Sequence, residues 1–594
     1  MSGHDDEILG KAYDARLMRR LLAYLRPYRR QVAIAIVAIA GHSTLQLAPP
    51  YLTKVLIDRY IPARDEAGVA LVAVLLLASL VVAFAFQYVE TWTLQMTGQR
   101  IMFDIRMQVY SHLQRLDLRF YDRNPVGRLM TRVTTDVDAL NDLFTSGVVS
   151  IFGDVFTLVG IMAMLIVMDE RLALVAFSVL PLIWFITQWF RRNVRESYRT
   201  VRTWIARINA FLQERLTGMA TVQLFRREAR DFARFDEIDA THRDANVDSI
   251  FYYAVFYPAI EIVSALAASL ILWWGGGMVL QESLTLGSLV AFLQYSARFF
   301  RPISDMSEKF NTLQSAMASS ERIFGLLDTP VQIESPARPA ARPDRGRIVF
   351  DHVTFAYVEG EPVLRDVSFV VEPGQRMAIV GATGSGKTTL MNLLLRFYDV
   401  QQGRITVDGV DIRDLELTEL RSLFGLVLQD VHLFSGDVAA NVRLGESTID
   451  DAVVRAALTA VHADTFVNAL PGGLATAVAE RGSTLSVGQK QLLSFARALA
   501  FNPRVLILDE ATSSIDTETE TLIRDALRVL MHGRTTIAIA HRLSTIQDMD
   551  CILVLHKGKV RESGTHQELL AERGIYHRLY RLQFKGAEQV EAAG

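Results

Sequence analysis

Residues 381–390 read GATGSGKTTL, in which glycine, lysine and threonine have the spacing of a phosphate-binding loop. The preceding RMAIV is typical of a buried strand, and the following TTLMNLLLRF has the apolar spacing of a helix. The glycines allow backbone amides to wrap around phosphates, and the N-terminus of the helix adds its dipole. Lys387 is expected to reach the β- and γ-phosphates, and the Thr388 hydroxyl to bind Mg²⁺. This half of the chain is therefore predicted to bind a nucleotide.

A second polar group ends the run RVLILDE at residues 504–510. Four consecutive aliphatic residues need an apolar environment on both faces, which predicts a central parallel strand. Open α/β sheets bind their ligands at the carboxyl ends of such strands. Asp509 is suited to hold Mg²⁺ through water, and Glu510 to orient or deprotonate an attacking water. The alternative, a pair of surface acids, is less favoured beside a phosphate-binding loop.

The composition divides the chain into two unlike halves. Its 594 residues exceed what one core supports, and residues 31–310 hold long apolar runs, whereas the later part reads as soluble. The net charge of −3 gives no indication of a nucleic-acid partner. The single cysteine, Cys551, excludes an intramolecular disulfide framework and a multi-cysteine metal site. At least two domains are therefore expected, one of them in a membrane.

Six stretches are long and apolar enough to cross a bilayer. They lie near residues 31–57, 68–96, 145–168, 171–190, 250–280 and 284–310. The connections 97–144 and 191–249 carry seven and twelve arginines, so the positive-inside rule places both termini in the cytoplasm. Helical periodicity in these connections predicts that the membrane helices continue beyond the bilayer. No cleavable signal peptide is apparent; residues 11–30 are instead predicted to form a basic amphipathic helix at the membrane surface.

The Pro- and Arg-rich stretch ESPARPAARPDRGR reads as a linker between the halves. The predicted fold class is an α-helical transmembrane domain of six long helices fused to an α/β P-loop nucleotide-binding domain. The expected order is a cytoplasmic N-terminal segment with an interfacial helix, the transmembrane domain, the linker, the nucleotide-binding domain and a C-terminal tail. Their boundaries are 1–30, 31–325, 326–346, 347–584 and 585–594.

Three motifs in chain order resemble the nucleotide-binding domain of ABC transporters: GATGSGKT, LSVGQ at 485–489, and LILDE. Six spans ahead of that domain resemble an ABC exporter half-transporter of the multidrug or lipid type, similar to a subunit of bacterial heterodimeric multidrug exporters. LQERLTGMATVQ at 212–223 matches a pattern of the second long connection in six-span exporters. The resemblance covers residues from about 15 to 583. It implies an ABC-type domain with ATP and Mg²⁺ as its ligands.

The resemblance also assigns roles to four residues that would otherwise be read as ordinary. Tyr357 matches the aromatic residue that stacks on adenine, and Gln429 the glutamine that contacts Mg²⁺ and senses the γ-phosphate. Asp516 matches the acid that communicates across a dimer, and His541 the switch histidine at the γ-phosphate. Read alone, Tyr357 is a core or surface aromatic, Gln429 is an ordinary loop glutamine, and a histidine such as His541 is more often structural. The matching residues of the phosphate-binding loop are Gly381, Thr383, Gly384, Ser385, Gly386, Lys387, Thr388 and Thr389.

The stretch LSVGQ reads alone as a helix start with a Ser cap. In the family it presents a hydroxyl, backbone amides and a helix N-terminus to the γ-phosphate held by the other subunit. Ser486, Gly488 and Gln489 match that pattern, while Val487 replaces a glycine. A valine is strained if the position needs a positive φ and harmless if it needs only an amide. The resemblance implies a dimer and favours a heterodimer over a homodimer.

Three charged residues lie within predicted spans: Asp154, Glu261 and Arg298. Such residues are costly in lipid and usually face the interior of a helix bundle. One interpretation is a structural ion cluster of Arg298 with one or both acids. The other is a translocation path that favours amphiphilic, cationic cargo. The residues alone leave both open.

The resemblance implies an ATP-driven exporter of amphiphilic small molecules, drugs or lipids, that works by alternating access as a dimer of half-transporters. The alternatives are a peptide exporter and an ATP-gated regulatory membrane protein. Contacts that couple the two domains are expected near 112–125 and 212–222, although solvated helical hairpins would show the same periodicity. The expected location is the inner (plasma) membrane, with an amphiphilic substrate, the lipid bilayer and a second half-transporter as partners.

Overall fold

The computed structural model describes residues 14–509, 517–539 and 546–582. By its internal contacts the chain divides into two units. The first, the helical unit, holds residues up to 114 together with 126–329. The second, the nucleotide unit, holds residues 115–125 together with the chain from 330 onward. Residues 115–125, expected in the transmembrane domain, thus group with the soluble half.

The apolar runs of the first half form long helices, joined by short turns. The helices are α1 (Ala15–Ala23), α2 (Arg29–Gln46), α3 (Ala48–Val55), α4 (Glu66–Arg115), α5 (Leu118–Arg123), α6 (Val126–Val133), α7 (Thr135–Asp142), α8 (Val148–Met168), α9 (Glu170–Phe177), α10 (Leu180–Thr217), α11 (Met219–Leu224), α12 (Glu228–Leu280) and α13 (Leu286–Leu327). Fully buried side chains such as Phe292 and Tyr295 pack the bundle core. All but α5 belong to the helical unit.

Two of these helices are much longer than a bilayer is thick. The 50 residues of α4 and the 53 of α12 span roughly 75–80 Å at about 1.5 Å per residue. The hydrocarbon core of a bilayer is only about 30 Å thick. The prediction that membrane helices continue well beyond the bilayer is therefore confirmed.

Among the described residues, five helical stretches are long and apolar enough to cross a membrane. They are Arg26–Tyr60, Glu66–Arg115, Ile151–Met168, Glu170–Thr217 and Glu228–Leu280. The sixth predicted span, 284–310, overlaps α13, which has 42 residues but is not among those five. The count of six spans therefore stays a prediction, whereas a membrane protein with several apolar helices is established.

The predicted N-terminal helix forms as α1, capped by the Asp14 side chain. Its apolar residues Met18 and Leu21 are buried in the helical unit. Arg20 makes two hydrogen bonds of 2.7 Å to the Asp328 carboxylate, directly after α13. The apolar face of the helix predicted to lie at the membrane surface therefore packs against protein.

The predicted ion cluster around Arg298 is wrong. Asp154 pairs with Lys309, while Arg298 donates a hydrogen bond to the backbone carbonyl of Gln46. Lys309 lies eleven residues (309 − 298) beyond Arg298, about three helical turns along the same face of α13. Of the two cations on this face of α13, Asp154 therefore pairs with the one nearer the C-terminus of the helix. The Glu261 side chain is exposed in this chain.

The nucleotide unit contains two main sheets. Its strands are β1 (Ile348–Phe355), β2 (Leu364–Val371), β3 (Arg376–Val380), β4 (Gln402–Val407), β5 (Val410–Asp411), β6 (Phe424–Val427), β7 (Gly436–Asp437), β8 (Ala477–Val478), β9 (Val505–Asp509), β10 (Thr535–Ile539), β11 (Cys551–His556) and β12 (Lys559–Gly564). One sheet is antiparallel, in the order β2-β1-β4-β5, and the other runs β12-β11-β3-β10-β9-β6. In the second sheet β9 pairs in parallel with β10 and β6, which confirms the predicted central parallel strand.

Helices pack with these sheets and with one another to complete the unit. They are α14 (Lys387–Leu394), α15 (Leu417–Ser422), α16 (Val438–Arg443), α17 (Asp451–Ala460), α18 (Asp464–Ala469), α19 (Val487–Ala500), α20 (Thr517–Met531) and α21 (His566–Ala571). Residues of β9 and β10 are buried almost throughout, as both faces of a parallel sheet require. The predicted fold class, helical membrane domain plus α/β nucleotide domain, is confirmed.

Asp408, directly after β4, caps the backbone of the segment that leads into β1. Its carboxylate accepts hydrogen bonds from the backbone N–H groups of Arg345 (2.8 Å), Gly346 (3.1 Å) and Arg347 (2.7 Å). Burial opposes ionisation, but these backbone hydrogen bonds outweigh it and hold the pKa of Asp408 below its ordinary value. The end of the linker is therefore fixed to the end of β4.

We expect Asp408→Asn to destabilise the nucleotide unit by about 1–3 kcal/mol, because the amide keeps one acceptor oxygen and loses the charge. Asparagine tolerates the left-handed backbone at this position, where φ is 51°, so backbone strain is not added. The measurement is thermal unfolding of the purified chain. Asp351→Asn, which breaks an exposed pair with Arg404, is the control and should cost less than about 1 kcal/mol. Equal losses in the two variants would contradict the prediction.

Candidate functional site

The phosphate-binding loop connects β3 to α14, as the sequence predicted. Gly384 and Gly386 have φ angles of 77° and 106°, which favour glycine. Gly386 is also the N-cap of α14, and a Cβ there would lie 2.7 Å from the Leu364 side chain. The turn therefore needs glycine for its backbone and for its space, and it directs amides toward the N-terminus of α14.

Lys387 opens α14 and is buried beneath the loop. Its Nζ donates to the carbonyls of Gly381 (2.8 Å) and Ala382 (3.2 Å), so the ammonium group lies inside the loop. The buried Ser385 hydroxyl has no hydrogen-bond partner within the part of the chain that the structure describes. Thr388, in the first turn of α14, is exposed. This donor set suits a polyphosphate and its cation.

The predicted adenine-stacking residue, Tyr357, follows β1 and is half-buried. Its hydroxyl donates to Thr389 Oγ1 at 3.3 Å and accepts from Asn392 Nδ2 at 3.3 Å. Both partners lie on α14, the helix that the phosphate-binding loop begins. The structure thus brings Tyr357 to the same helix as the loop residues.

The parallel register aligns the ends of four strands. Ala538 of β10 pairs with Ala378 of β3 and Leu508 of β9, and Leu508 also pairs with Val427 of β6. Asp509 is the last residue of β9. Because parallel strands end at one edge, Asp509 lies on the edge from which the phosphate-binding loop starts.

Gln429 follows β6 by two residues and is exposed at that edge. Glu510, Asp516 and His541 lie outside the described residues. Glu510 directly follows Asp509 in the chain, and His541 comes two residues after β10. Their roles stay predictions.

The stretch LSVGQ begins α19, and the predicted Ser cap is confirmed. The Ser486 hydroxyl accepts from the Gln489 amide at 3.2 Å, and the Gln489 side chain accepts from the Ser486 amide at 3.0 Å. This reciprocal capping box fixes the first turn. Gly488 is buried.

Val487 is the first residue of α19, and its φ is not positive. The backbone at this position is therefore right-handed, which a β-branched residue adopts without strain. Its side chain is 53% exposed. The sequence left open whether valine is strained here or harmless. The structure supports the second interpretation, in which valine causes no backbone strain.

Sequence reasoning missed Tyr398, which follows α14 in the nucleotide unit. Its hydroxyl donates a hydrogen bond to Asp122 of α5. Burial, followed by this hydrogen bond, raises the pKa of Tyr398 above its ordinary value. Part of the predicted coupling region 112–125 is thus joined to the nucleotide unit, whereas 212–222 belongs to the helical unit. No local pattern joins residues that are 276 positions apart.

Comparison with known proteins gives matches to both halves. The protein-family model described as the ABC transporter transmembrane region matches residues 32–303. The family model described as ABC transporter matches residues 364–513. A fatty acid ABC transporter ATP-binding/permease protein of Mycobacterium bovis is 41% identical over 520 residues, 87% of this chain and 82% of that protein. An ATP-dependent lipid A-core flippase of Thiobacillus denitrificans is 36% identical over 572 residues, 96% of this chain and 98% of that protein.

A solved structure is similar over nearly the whole chain. It is that of a bacterial Atm1-family ABC exporter with ATP bound, with a TM-score of 0.77 and 31% identity. The match covers 93% of this chain and 98% of that chain. Both halves of the fold are therefore shared with one exporter.

A P-loop domain fused to several apolar helices defines an ATP-hydrolysing membrane transporter. The chain belongs to the ABC transporter family and has the layout of an exporter half-transporter, with one transmembrane region and one nucleotide-binding region. The resemblance inferred from GATGSGKT, LSVGQ and LILDE is thereby confirmed.

Proposed function

We propose that this chain is one half of a dimeric pump that uses ATP to export amphiphilic small molecules, lipids or lipid-like drugs. The observation that carries the proposal is the phosphate-binding loop, with buried Lys387 and glycines at 384 and 386, in one chain with long apolar helices. The relatives named for fatty acid and lipid A transport support an amphiphilic substrate. The arginine-rich connections support cytoplasmic termini, and the proposed location is the inner (plasma) membrane.

The residues at the sheet edge have separate roles in binding the phosphates, the base and the metal ion of the nucleotide. Lys387 and the loop amides bind the phosphates, and Tyr357 stacks on adenine. Thr388, Gln429 and Asp509 would supply the oxygen ligands that Mg²⁺ prefers, and a bound ion would neutralise phosphate charge. The rest of the donor set comprises Gly381, Thr383, Gly384, Ser385, Gly386 and Thr389.

Glu510 orients and deprotonates the attacking water, and His541 contacts the γ-phosphate. Asp509 ends β9 at the edge where the phosphate-binding loop begins, and Glu510 is the next residue of the sequence. Hydrolysis thus takes place at the carboxyl ends of the parallel strands.

Two copies of the nucleotide unit complete each site. Ser486, Gly488 and Gln489 present the capped N-terminus of α19 to the γ-phosphate held by the partner subunit, and Asp516 communicates across the interface. The sequence favours a heterodimer because of the Val487 replacement. The right-handed backbone at Val487 argues that the stretch itself is competent.

Val487→Gly is therefore expected to change ATP hydrolysis by less than about threefold, since neither residue needs a strained backbone here. The measurement is the steady-state Mg-ATPase rate of the purified chain in lipid, alone and with a co-expressed second half-transporter. A rise of more than about tenfold on removing the isopropyl group would mean that the exposed side chain obstructs the site. Turnover by the chain alone identifies a homodimer, and turnover only in the mixture identifies a heterodimer.

The substrate class is tested by adding long-chain fatty acids to this assay. An exporter of amphiphiles is expected to hydrolyse ATP faster, and saturably, as the fatty acid concentration rises. A regulatory protein that only senses ATP would show no such dependence, which would contradict the proposal.

A further inference from the structure

The short helix α5 has a side-chain hydrogen bond at each end. The Asp117 side chain accepts from the Phe120 amide at 3.2 Å, and the Asn124 amide group donates to the Phe120 carbonyl at 2.8 Å. The helix follows the end of α4 and precedes α6, yet residues 115–125 group with the nucleotide unit. In the sequence, two residues separate α5 from α4 and two separate it from α6.

Tyr398 connects α5 to the rest of the nucleotide unit. It is 6% exposed and donates its hydroxyl proton to the Asp122 carboxylate. A hydrogen bond to a charged acceptor is stronger and more directional than one between neutral groups. The orientation of the Tyr398 ring thus determines where Asp122, and with it α5, is held.

The other side of Tyr398 faces the proposed base site. Its ring meets that of Tyr357 edge to face, with centroids 5.1 Å apart and planes at 90°. Phe355 contacts both rings, at 4.9 Å and 5.7 Å. Edge-to-face contact is a preferred aromatic geometry, so a ring that turns forces its neighbour to adjust.

The two contacts form one chain of interactions. Tyr357 is tied by its hydroxyl to Thr389 and Asn392 of α14, and by its ring edge to Tyr398. Tyr398 in turn holds Asp122. A base stacked on Tyr357 would restrict the Tyr357 ring and thereby the Tyr398 hydroxyl.

We propose that Tyr398 is a positioning residue that transmits occupancy of the base site at Tyr357 to helix α5 through its hydrogen bond to Asp122. The inference rests on the proposed adenine site. It makes the response of α5 depend on the base of the nucleotide, and not only on its phosphates. A purely structural tyrosine would support the fold without that dependence.

The experiment is hydrogen–deuterium exchange of the full chain in lipid nanodiscs, with and without Mg-ATP. In the wild type, ATP is expected to slow exchange about fivefold both in the peptide covering 115–125 and in that covering 381–394. CTP, whose smaller ring stacks less, should protect 381–394 but protect 115–125 less. In Tyr398→Phe, protection of 381–394 should persist while that of 115–125 is lost for both nucleotides.

Two further variants test the hydrogen bond itself. Asp122→Ala should reproduce Tyr398→Phe, and the double variant should be no worse than either, because the two residues act through one bond. Asp122→Asn keeps an acceptor oxygen and should retain most of the protection. Tyr576→Phe, which removes a buried hydroxyl bonded to His566 elsewhere in the unit, is the matched control and should behave as wild type.

The outcomes separate this inference from the proposed function. If ATP protects 381–394 in the wild type but Tyr398→Phe leaves 115–125 equally protected, Tyr398 does not transmit, and ATP binding stands. If ATP and CTP protect 115–125 equally, the base plays no part and the inference is overturned. If wild-type 381–394 shows no protection, the ATP site itself fails and the inference fails with it.

Discussion

Lys387→Ala is expected to weaken ATP binding about a hundredfold and to abolish measurable hydrolysis. Lys387 is 6% exposed, and its ammonium group lies within the loop, hydrogen-bonded to the carbonyls of Gly381 and Ala382. On binding it would exchange these partners for phosphate oxygens, and each charge-assisted hydrogen bond contributes about 1.5–3 kcal/mol. Loss of one or two of them corresponds to roughly a hundredfold in affinity.

The measurement is titration of the purified chain with a fluorescent ATP analogue in the presence of Mg²⁺. Lys559→Ala, which removes an exposed lysine from β12, controls for the loss of a positive charge and should bind as wild type. Thermal unfolding without nucleotide should be shifted little by Lys387→Ala, because alanine is favourable in a helix. Affinity within about threefold of wild type would remove Lys387 from the phosphate site.

Glu510→Gln is expected to lower the hydrolysis rate by about two to four orders of magnitude while leaving ATP affinity nearly unchanged. The change removes the proton acceptor but keeps the size of the side chain, and general-base catalysis is worth about 10²–10⁴ in rate. Asp509, one residue earlier at the end of β9, keeps its carboxylate. Glu510→Gln should therefore bind ATP like the wild type but hydrolyse it far more slowly.

The separation is measured by single-turnover hydrolysis alongside nucleotide binding. Glu572→Gln, at an exposed position after α21, serves as the control for the same chemical change. An affinity loss that matches the rate loss would indicate that Glu510 supports the site structurally. Unchanged turnover would exclude Glu510 as the base and direct attention to the other polar residues at this edge.

The phosphate-binding loop and the strand before Asp509 could be predicted because their signals are local. In GATGSGKTTL the glycines, the lysine and the helix start are consecutive, so sequence spacing becomes spatial arrangement directly. The run LILD needed only the rule that a continuously aliphatic strand is buried on both faces. The Ser486 cap is local in the same way.

Contacts between distant residues could not be predicted in this way. Asp154 and Lys309 are 155 residues apart, and the choice of Lys309 over Arg298 depends on how α8 and α13 pack. The burial of Met18 and Leu21 of α1 likewise needed the position of its neighbours. An amphipathic pattern identifies an apolar face but not whether lipid or protein covers it.

Val487 illustrates a third case, in which one backbone angle decides between two readings. The sequence shows a glycine replaced by valine, but strain depends on the sign of φ. Since α19 begins at Val487 in the right-handed region, the replacement is compatible with the capped helix start. The structure therefore removes backbone strain as a reason for a weak ATP site.

Transport by the reconstituted dimer tests the central claim most directly. Proteoliposomes would contain the ATP-hydrolysing dimer, formed by this chain alone or with a second half-transporter, with the nucleotide units outward. On addition of Mg-ATP, a labelled long-chain fatty acid should accumulate in the lumen, and the accumulation should disappear with Glu510→Gln. Rapid ATP hydrolysis without accumulation of the fatty acid or other amphiphiles, or accumulation that persists with Glu510→Gln, would contradict ATP-driven export of amphiphiles.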